Sequence, residues 1–363
     1  VLSESDYQNY LDKIKNTNYS SQDHWDVFGD LYYHKVSDYR SMDSFRTNGI
    51  SNMLETALPS QERDLALSGK NYDVNYNDLE IKELVSRFNE LVIMMKDDLE
   101  VVPFNTNIGN PRRYAHEFQD KTYLLNFDDL YHVYSAWQIK RMIDFLFHKK
   151  QLKNVLEIGA GYGNLASKIK KMYKNAKYII VDLPEVLLTQ HYYLSNVVPD
   201  CKIVSLLGTE NINCHVDDVE CDVLLIPYGA YESVQMECEL VINTRSFGEM
   251  PRKTLESYFS WFQTNIKDGG ILYTTNRYVF TKSKDKNKIR DYPFDNRWNV
   301  IVSQPQWLQT HLHEFLLQRT SEESPIPLKL LLSSFPISTP PPGPIMQDIQ
   351  TQSEWLKHQK EKA

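Results

Sequence analysis

The sequence predicts an α/β protein: a doubly wound, mostly parallel, seven-stranded Rossmann-like sheet with a terminal antiparallel hairpin, preceded by a mainly helical cap. Three observations predict it. From Val155 onward, short runs rich in β-branched residues recur: "VLEIG", "AKYIIVDLP", "CDVLLIPYG", "CELVINT" and "GGILYTT". Helical stretches such as "NLASKIKKMYK" and "RKTLESYFSWFQTNIK" separate several of them, as parallel strands covered by helices require. After the fifth run, "RWNVIVSQPQW" and "LHEFLLQRT" follow with no long helix between them, so they pair as a hairpin.

The elements before the sheet read differently. In "DLEIKELVSRFNELVIMMKDDL" (Asp78 to Leu99), apolar residues fall at Ile81, Leu84, Val85, Phe88, Leu91 and Val92, the spacing of one helical face. "VVPFNTNIGNPRRY" (Val101 to Tyr114) carries Pro, Asn and Gly and reads as a loop. "YHVYSAWQIKRMIDFLFHKK" (Tyr131 to Lys150) is a second helix, with a basic last turn that complements the helix dipole. The tail "SSFPISTPPPGPIMQDIQTQ" is proline-rich and extended, with a short helix expected near Trp355. The expected division is a cap over 1–130, a catalytic domain over 131–335 and a tail over 336–363.

Composition narrows the function classes. With 41% hydrophobic and 24% charged residues, the chain is an ordinary globular protein. A net charge of −8 argues against a dedicated nucleic-acid binder, which needs a basic surface. No apolar run is long enough for a membrane span, and "VLSESDYQNY" does not read as a signal peptide. Cys201, Cys214, Cys221 and Cys238 lack zinc-ligand spacing and read as reduced thiols, which suits the cytoplasm. Asp291, Asp295 and Asn296 are hard oxygen donors, but their spacing matches no closed metal motif, so no metal is expected.

The chemistry concentrates in "NVLEIGAGYGNLASKI". Gly159, Gly161 and Gly163 permit a tight turn and close approach of backbone to ligand, and the following helix offers unpaired N–H groups. The spacing is GxGxG; the GxGxxG of nicotinamide and flavin folds would want glycine at Asn164. Glu157 interrupts the apolar strand just before the turn, and Asp182 ends the second strand, where a carboxylate accepts two ribose hydroxyls. A nicotinamide-binding Rossmann domain stays open as an alternative, as does a binding or assembly protein that kept the fold without turnover.

With "EIGAGYG" and Asp182 in place, the sequence resembles the class I S-adenosylmethionine-dependent methyltransferases. The resemblance implies S-adenosylmethionine as cofactor, held by Glu157, the turn Gly159-Ala160-Gly161-Tyr162-Gly163, Asp182 and Leu183. A closer resemblance runs from about Ile108 to Arg277, through "IGNP", "YHVYSAWQI", "VLEIGAGYGNLA", "VDLPE…QHYYL" and "INTRSFGEM". It is to the sugar O-methyltransferases associated with bacterial surface-polysaccharide biosynthesis. It implies a sugar or glycan acceptor, nucleotide-linked, phosphorylated or polymeric; a phenol or natural product is the alternative.

Methyl transfer is an in-line displacement in which orientation does most of the work, and a base on a sugar hydroxyl helps further. The resemblance implies that the methyl group sits over the end of the strand "LVINTRSFGEM". The Asn-Pro-Pro-aromatic motif common in amino methyltransferases is absent; Asn243-Thr244-Arg245-Ser246 stands there instead. Glu249 is the first candidate base and His132 the second, and each has a plain structural alternative, a helix-start carboxylate and a packed histidine. Asn243, Tyr134 and Gln138 are candidates for orienting the cofactor. Arg245, Asn276 and Arg277 are candidates for the acceptor, with the basic run Lys282 to Arg290 drawing in an anion if it acts at all.

Overall fold

The computed structural model describes residues 2–16, 36–46, 76–104, 107–147, 152–209, 212–280 and 285–336. The helix expected near Trp355 and Lys282 of the basic run lie outside the described residues. The chain forms two compact units, Val1–Leu240 and Val241–Ala363.

The first unit begins with helix α1 (Glu4–Asn16), which buries Tyr7, Tyr10, Leu11 and Ile14. Helix α2 (Asp78–Met95) starts at a capping box: Asn77 accepts from the Leu79 and Glu80 N–H groups, and Glu80 accepts from the Asn77 N–H. It buries Leu84, Phe88, Leu91 and Met95. The expected face is therefore real, but the α-helix stops at Met95 and a 3-10 turn, Lys96–Glu100, completes the segment. Phe88 packs among Phe104, Phe118 and Tyr123.

The region expected to be mainly helical also holds an antiparallel hairpin, β1 (Tyr114–Phe118) and β2 (Lys121–Leu125). Gln119 and Asp120 both take positive φ, 47° and 60°, which a two-residue hairpin turn of this hand requires. Helix α3 (Phe127–Leu146) starts earlier than its apolar periodicity suggested, because Asn126 caps it by accepting from the Asp129 N–H.

Strands β3 (Asn154–Ile158), β4 (Lys177–Asp182), β5 (Ile203–Ser205) and β7 (Val223–Pro227) are joined in the order β3-β4-β7-β5, all parallel. Helices α4 (Asn164–Met172) and α5 (Pro184–Val197) follow β3 and β4. A small parallel pair, β6 (Cys214–His215) and β8 (Val234–Gln235), stands apart. Strand β9 (Cys238–Thr244) carries the chain from the first unit into the second.

The second unit continues with helix α6 (Arg252–Asn265) and strands β10 (Ile266–Arg277), β11 (Trp298–Pro305) and β12 (Leu312–Arg319), then short helix α7 (Leu328–Ser333). Their order is β11-β12-β10-β9, with β12 antiparallel to both β10 and β11, so the expected terminal hairpin is present. Phe247, Phe259, Phe262, Tyr292 and Trp298 form its aromatic core. Among the described residues the fold is thus the expected mixed α/β arrangement, with one strand more in the main sheet than the seven foreseen. The addition is β5, three half-buried residues too short to stand out by hydrophobicity. Among the described residues, no helix is long and apolar enough to cross a membrane.

Candidate active site

In the first unit, β3 delivers Glu157 to the start of the glycine turn. The side chain is fully buried. Its Oε2 accepts from the Tyr178 hydroxyl at 2.6 Å, and its Oε1 has no hydrogen-bond partner. Burial raises this carboxyl, the Tyr178 bond opposes it and the charge of Asp182 adds to it, leaving the group at about 8. The buried carboxyl thus keeps one oxygen without a protein hydrogen-bond partner.

The turn itself needs glycine. Gly159, Gly161 and Gly163 have φ of 71°, 59° and 96°. At Gly163 an added Cβ would also stand 3.3 Å from Leu194 Cγ. The Gly159 N–H donates to Val181 O at 2.9 Å, which ties the turn to β4.

Asp182 ends β4 and is partly exposed. It accepts from the Leu183 N–H at 2.8 Å and from Gln190 Nε2 at 2.7 Å, and the same Gln190 nitrogen donates to Gly161 O at 2.8 Å. Burial lifts Asp182 to about 7, against the hydrogen bonds of Leu183, Gln190 and Ala160. Gln190 therefore locks the second-strand acid to the glycine turn, and its own Oε1 is buried without a partner. Neither Tyr178 nor Gln190 was singled out from the sequence. Gln190 had a detectable signal, a polar residue on the apolar face of "PEVLLTQHYYL". Tyr178 had none, since tyrosine in a strand is ordinary. These residues fit S-adenosylmethionine: Glu157 Oε1 for the ammonium, Asp182 for the ribose, the turn backbone for close approach.

Tyr162 belongs to the turn through its backbone, but its side chain is used elsewhere. Its hydroxyl donates to Asp128 Oδ2 at 2.6 Å, and its ring packs edge-on against Tyr193. Asp128 is the centre of a buried polar cluster. It also accepts from Asn164 Nδ2 at 3.0 Å and lies 3.9 Å from Arg46 Nη2. Burial would raise this carboxyl, but His132, Arg46 and the Tyr162 bond hold it well below the usual carboxylate range. His132 Nδ1 lies 2.8 Å from Asp128 O and 3.3 Å from Asp128 Oδ2, so Nδ1 is the engaged nitrogen. Neighbouring Asp129 is bound by Lys168 Nζ at 3.2 Å. Tyr134 and Gln138 are buried and bonded to each other at 2.8 Å, with Arg141 donating to Gln138.

In the second unit, Asn243 and Asn276 are fully buried. Asn276 Nδ2 donates to Asn243 Oδ1 at 2.9 Å and to Thr274 Oγ1 at 2.8 Å, while its Oδ1 accepts from the Gly248 N–H at 3.3 Å. Asn243 Nδ2 donates to Ser246 Oγ. The two amides thus clamp the segment Arg245 to Gly248 onto the ends of β9 and β10. Arg245, at φ 67°, and Arg277 are half-buried, as is Glu249 at the end of the 3-10 turn Phe247–Glu249. Asp295 accepts from both terminal guanidinium nitrogens of Arg319.

Residues 88–206 match a family model described as an O-methyltransferase domain. No curated protein matches. Among solved structures, the pyocyanin biosynthetic protein PhzM is 12% identical over 51% of this chain and 54% of its own, with a TM-score of 0.36. The mitomycin 7-O-methyltransferase MmcR is 10% identical over 53% and 57%, with a TM-score of 0.35. The N-methyltransferase NodS from Bradyrhizobium japonicum WM9, solved with S-adenosyl-L-homocysteine, is 10% identical over 51% and 86%, with a TM-score of 0.35. The chain spans little more than half the length of the first two, and likenesses this distant carry no functional argument. Over about a third of its length, then, the chain is similar to an O-methyltransferase domain.

Proposed function

We propose that the chain transfers a methyl group from S-adenosylmethionine to a sugar hydroxyl, on an acceptor that is nucleotide-linked, phosphorylated or part of a surface polysaccharide. The observation that carries the cofactor half is Glu157, buried with an unpartnered Oε1 beside three positive-φ glycines and the Asp182–Gln190 pair. The matched O-methyltransferase family supports oxygen as the nucleophile. The order of motifs from Ile108 to Arg277 supports a sugar.

When bound, S-adenosylmethionine supplies an electrophilic methyl group on a sulfonium. Glu157 would hold the cofactor's ammonium as a carboxylate, its proton released to solvent, and Asp182, held by Gln190 and Leu183, would accept from the ribose hydroxyls. The acceptor hydroxyl must lose its proton as it attacks, a task worth about 10²–10⁴-fold when a base is in place. Glu249 is the first candidate base. His132 is the second, with Nδ1 held by Asp128 so that Nε2 is the nitrogen left to take a proton.

Tritiated-methyl transfer into nucleotide sugars, sugar phosphates and capsule fragments tests this reading, with phenols and tRNA as controls. Label in a sugar, lost in Glu249→Gln and kept in His132→Gln, supports the reading and the first base. Label only in a phenol overturns the sugar acceptor. Label nowhere, with the cofactor tightly bound, overturns turnover itself.

A further inference from the structure

We propose that Arg245, Arg277 and His311 form an anion subsite that takes a phosphate group carried by the acceptor. The inference deepens the reading above and rests on it for the sugar part only.

Three separate segments meet at one end of neighbouring strands. β9 ends at Thr244, and Arg245 follows with its N–H donating to Thr275 O at 2.6 Å, so it lies beside the last residues of β10. Arg277 is the final residue of β10, and its backbone pairs with Leu312, the first residue of β12. His311 is the residue immediately before that pair. All three are half-buried, shielded enough for charge to count yet reachable by a ligand.

The electrostatics agree with this placement. Burial, Arg277 and Arg245 together push the His311 imidazole down to about 4, so at neutral pH it stays uncharged in a positive field. The same turn holds Gln306, fully buried, whose Oε1 accepts from the Gln309 N–H at 2.6 Å and whose Nε2 has no partner.

Guanidinium forks match phosphate oxygens better than any neutral hydroxyl array. An acceptor bearing a phosphate ester or diphosphate fits this chemistry. His311 gave no sign in the sequence, because only the β10–β12 register brings it next to Arg277.

The test is titration calorimetry on the full chain saturated with S-adenosylhomocysteine. The probes are UDP and glucose 6-phosphate, with uridine and glucose as uncharged counterparts. The proposal expects at least one charged probe to bind at least tenfold more tightly than its neutral partner. Arg277→Gln should weaken that binding about tenfold or more and His311→Gln severalfold, with S-adenosylhomocysteine affinity unchanged in both as the check on folding. UDP binding alone would mark a nucleotide-linked acceptor; glucose 6-phosphate binding would mark a sugar phosphate. Equal binding of charged and neutral probes, no binding of any, or full affinity in Arg277→Gln would each overturn the subsite. Phosphate-dependent binding without methyl transfer to any sugar would overturn the sugar reading and leave the subsite standing. Methyl transfer to neutral sugars without phosphate-dependent binding would do the reverse.

Discussion

At the scale of single residues, Glu157 joins sequence to chemistry most tightly. Its folded value, about 8, lies above its ordinary 4.5, so the folded protein holds this proton more firmly than the unfolded chain does. The stability it contributes is complete below pH 4.5 and fades as the pH climbs through 8, at most about 1.4 kcal/mol per pH unit. Asp182, raised to about 7, works in the same direction. The histidines His191, His311 and His313, pushed down to about 4, work oppositely, but mainly below their ordinary 6.5. The cofactor-free protein should therefore lose melting temperature between pH 7 and 8.5, and Glu157→Gln should lose less. Saturating S-adenosylmethionine should remove most of the difference, because its ammonium stabilises the ionised carboxylate. Identical pH slopes in wild type and variant would show that Glu157 does not titrate in this window.

At the scale of elements, the turn between β3 and α4 is set by backbone conformation and by what lies behind it. Gly163→Ala should destabilise the fold by about 1–2 kcal/mol, since φ is 96° and Leu194 leaves 3.3 Å for the new methyl. Urea unfolding measures this; a change within about 0.5 kcal/mol, the usual surface-mutation range, would contradict it. Asp128→Ala should be worse, about 3–5 kcal/mol, because Tyr162, Asn164 and Arg46 lose a buried anion together. Rescue by Asp128→Asn should be only partial.

Legibility in the sequence followed the range of the interactions involved. Helix α2 was readable because its face repeats locally, and the tight turn after β3 because its three positive-φ positions ask for glycine. Strand β5, the β1–β2 hairpin and the Asp128 cluster were not. A three-residue strand exists only through its partner β7, and Asp128 takes its meaning from residues as distant in the chain as Arg46 and Asn164. Tyr162, Asn243 and Asn276 stood out as ligand residues, yet their side chains are engaged with the protein itself.

At the scale of the whole molecule, the proposed roles fall in both units of the chain. The first, Val1–Leu240, contains every residue assigned to the cofactor's ammonium and ribose. The second, Val241–Ala363, contains the first candidate base and the proposed anion subsite. The most direct test of the account is calorimetric titration of the full chain with S-adenosylmethionine and, separately, with NAD and NADP. The account predicts stoichiometric S-adenosylmethionine binding and none of either nicotinamide. Asp182→Ala should weaken that binding about 100-fold through two lost charge-assisted hydrogen bonds, each worth about 1.5–3 kcal/mol before water replaces it. Binding of a nicotinamide instead, or an unchanged dissociation constant in Asp182→Ala, would contradict it.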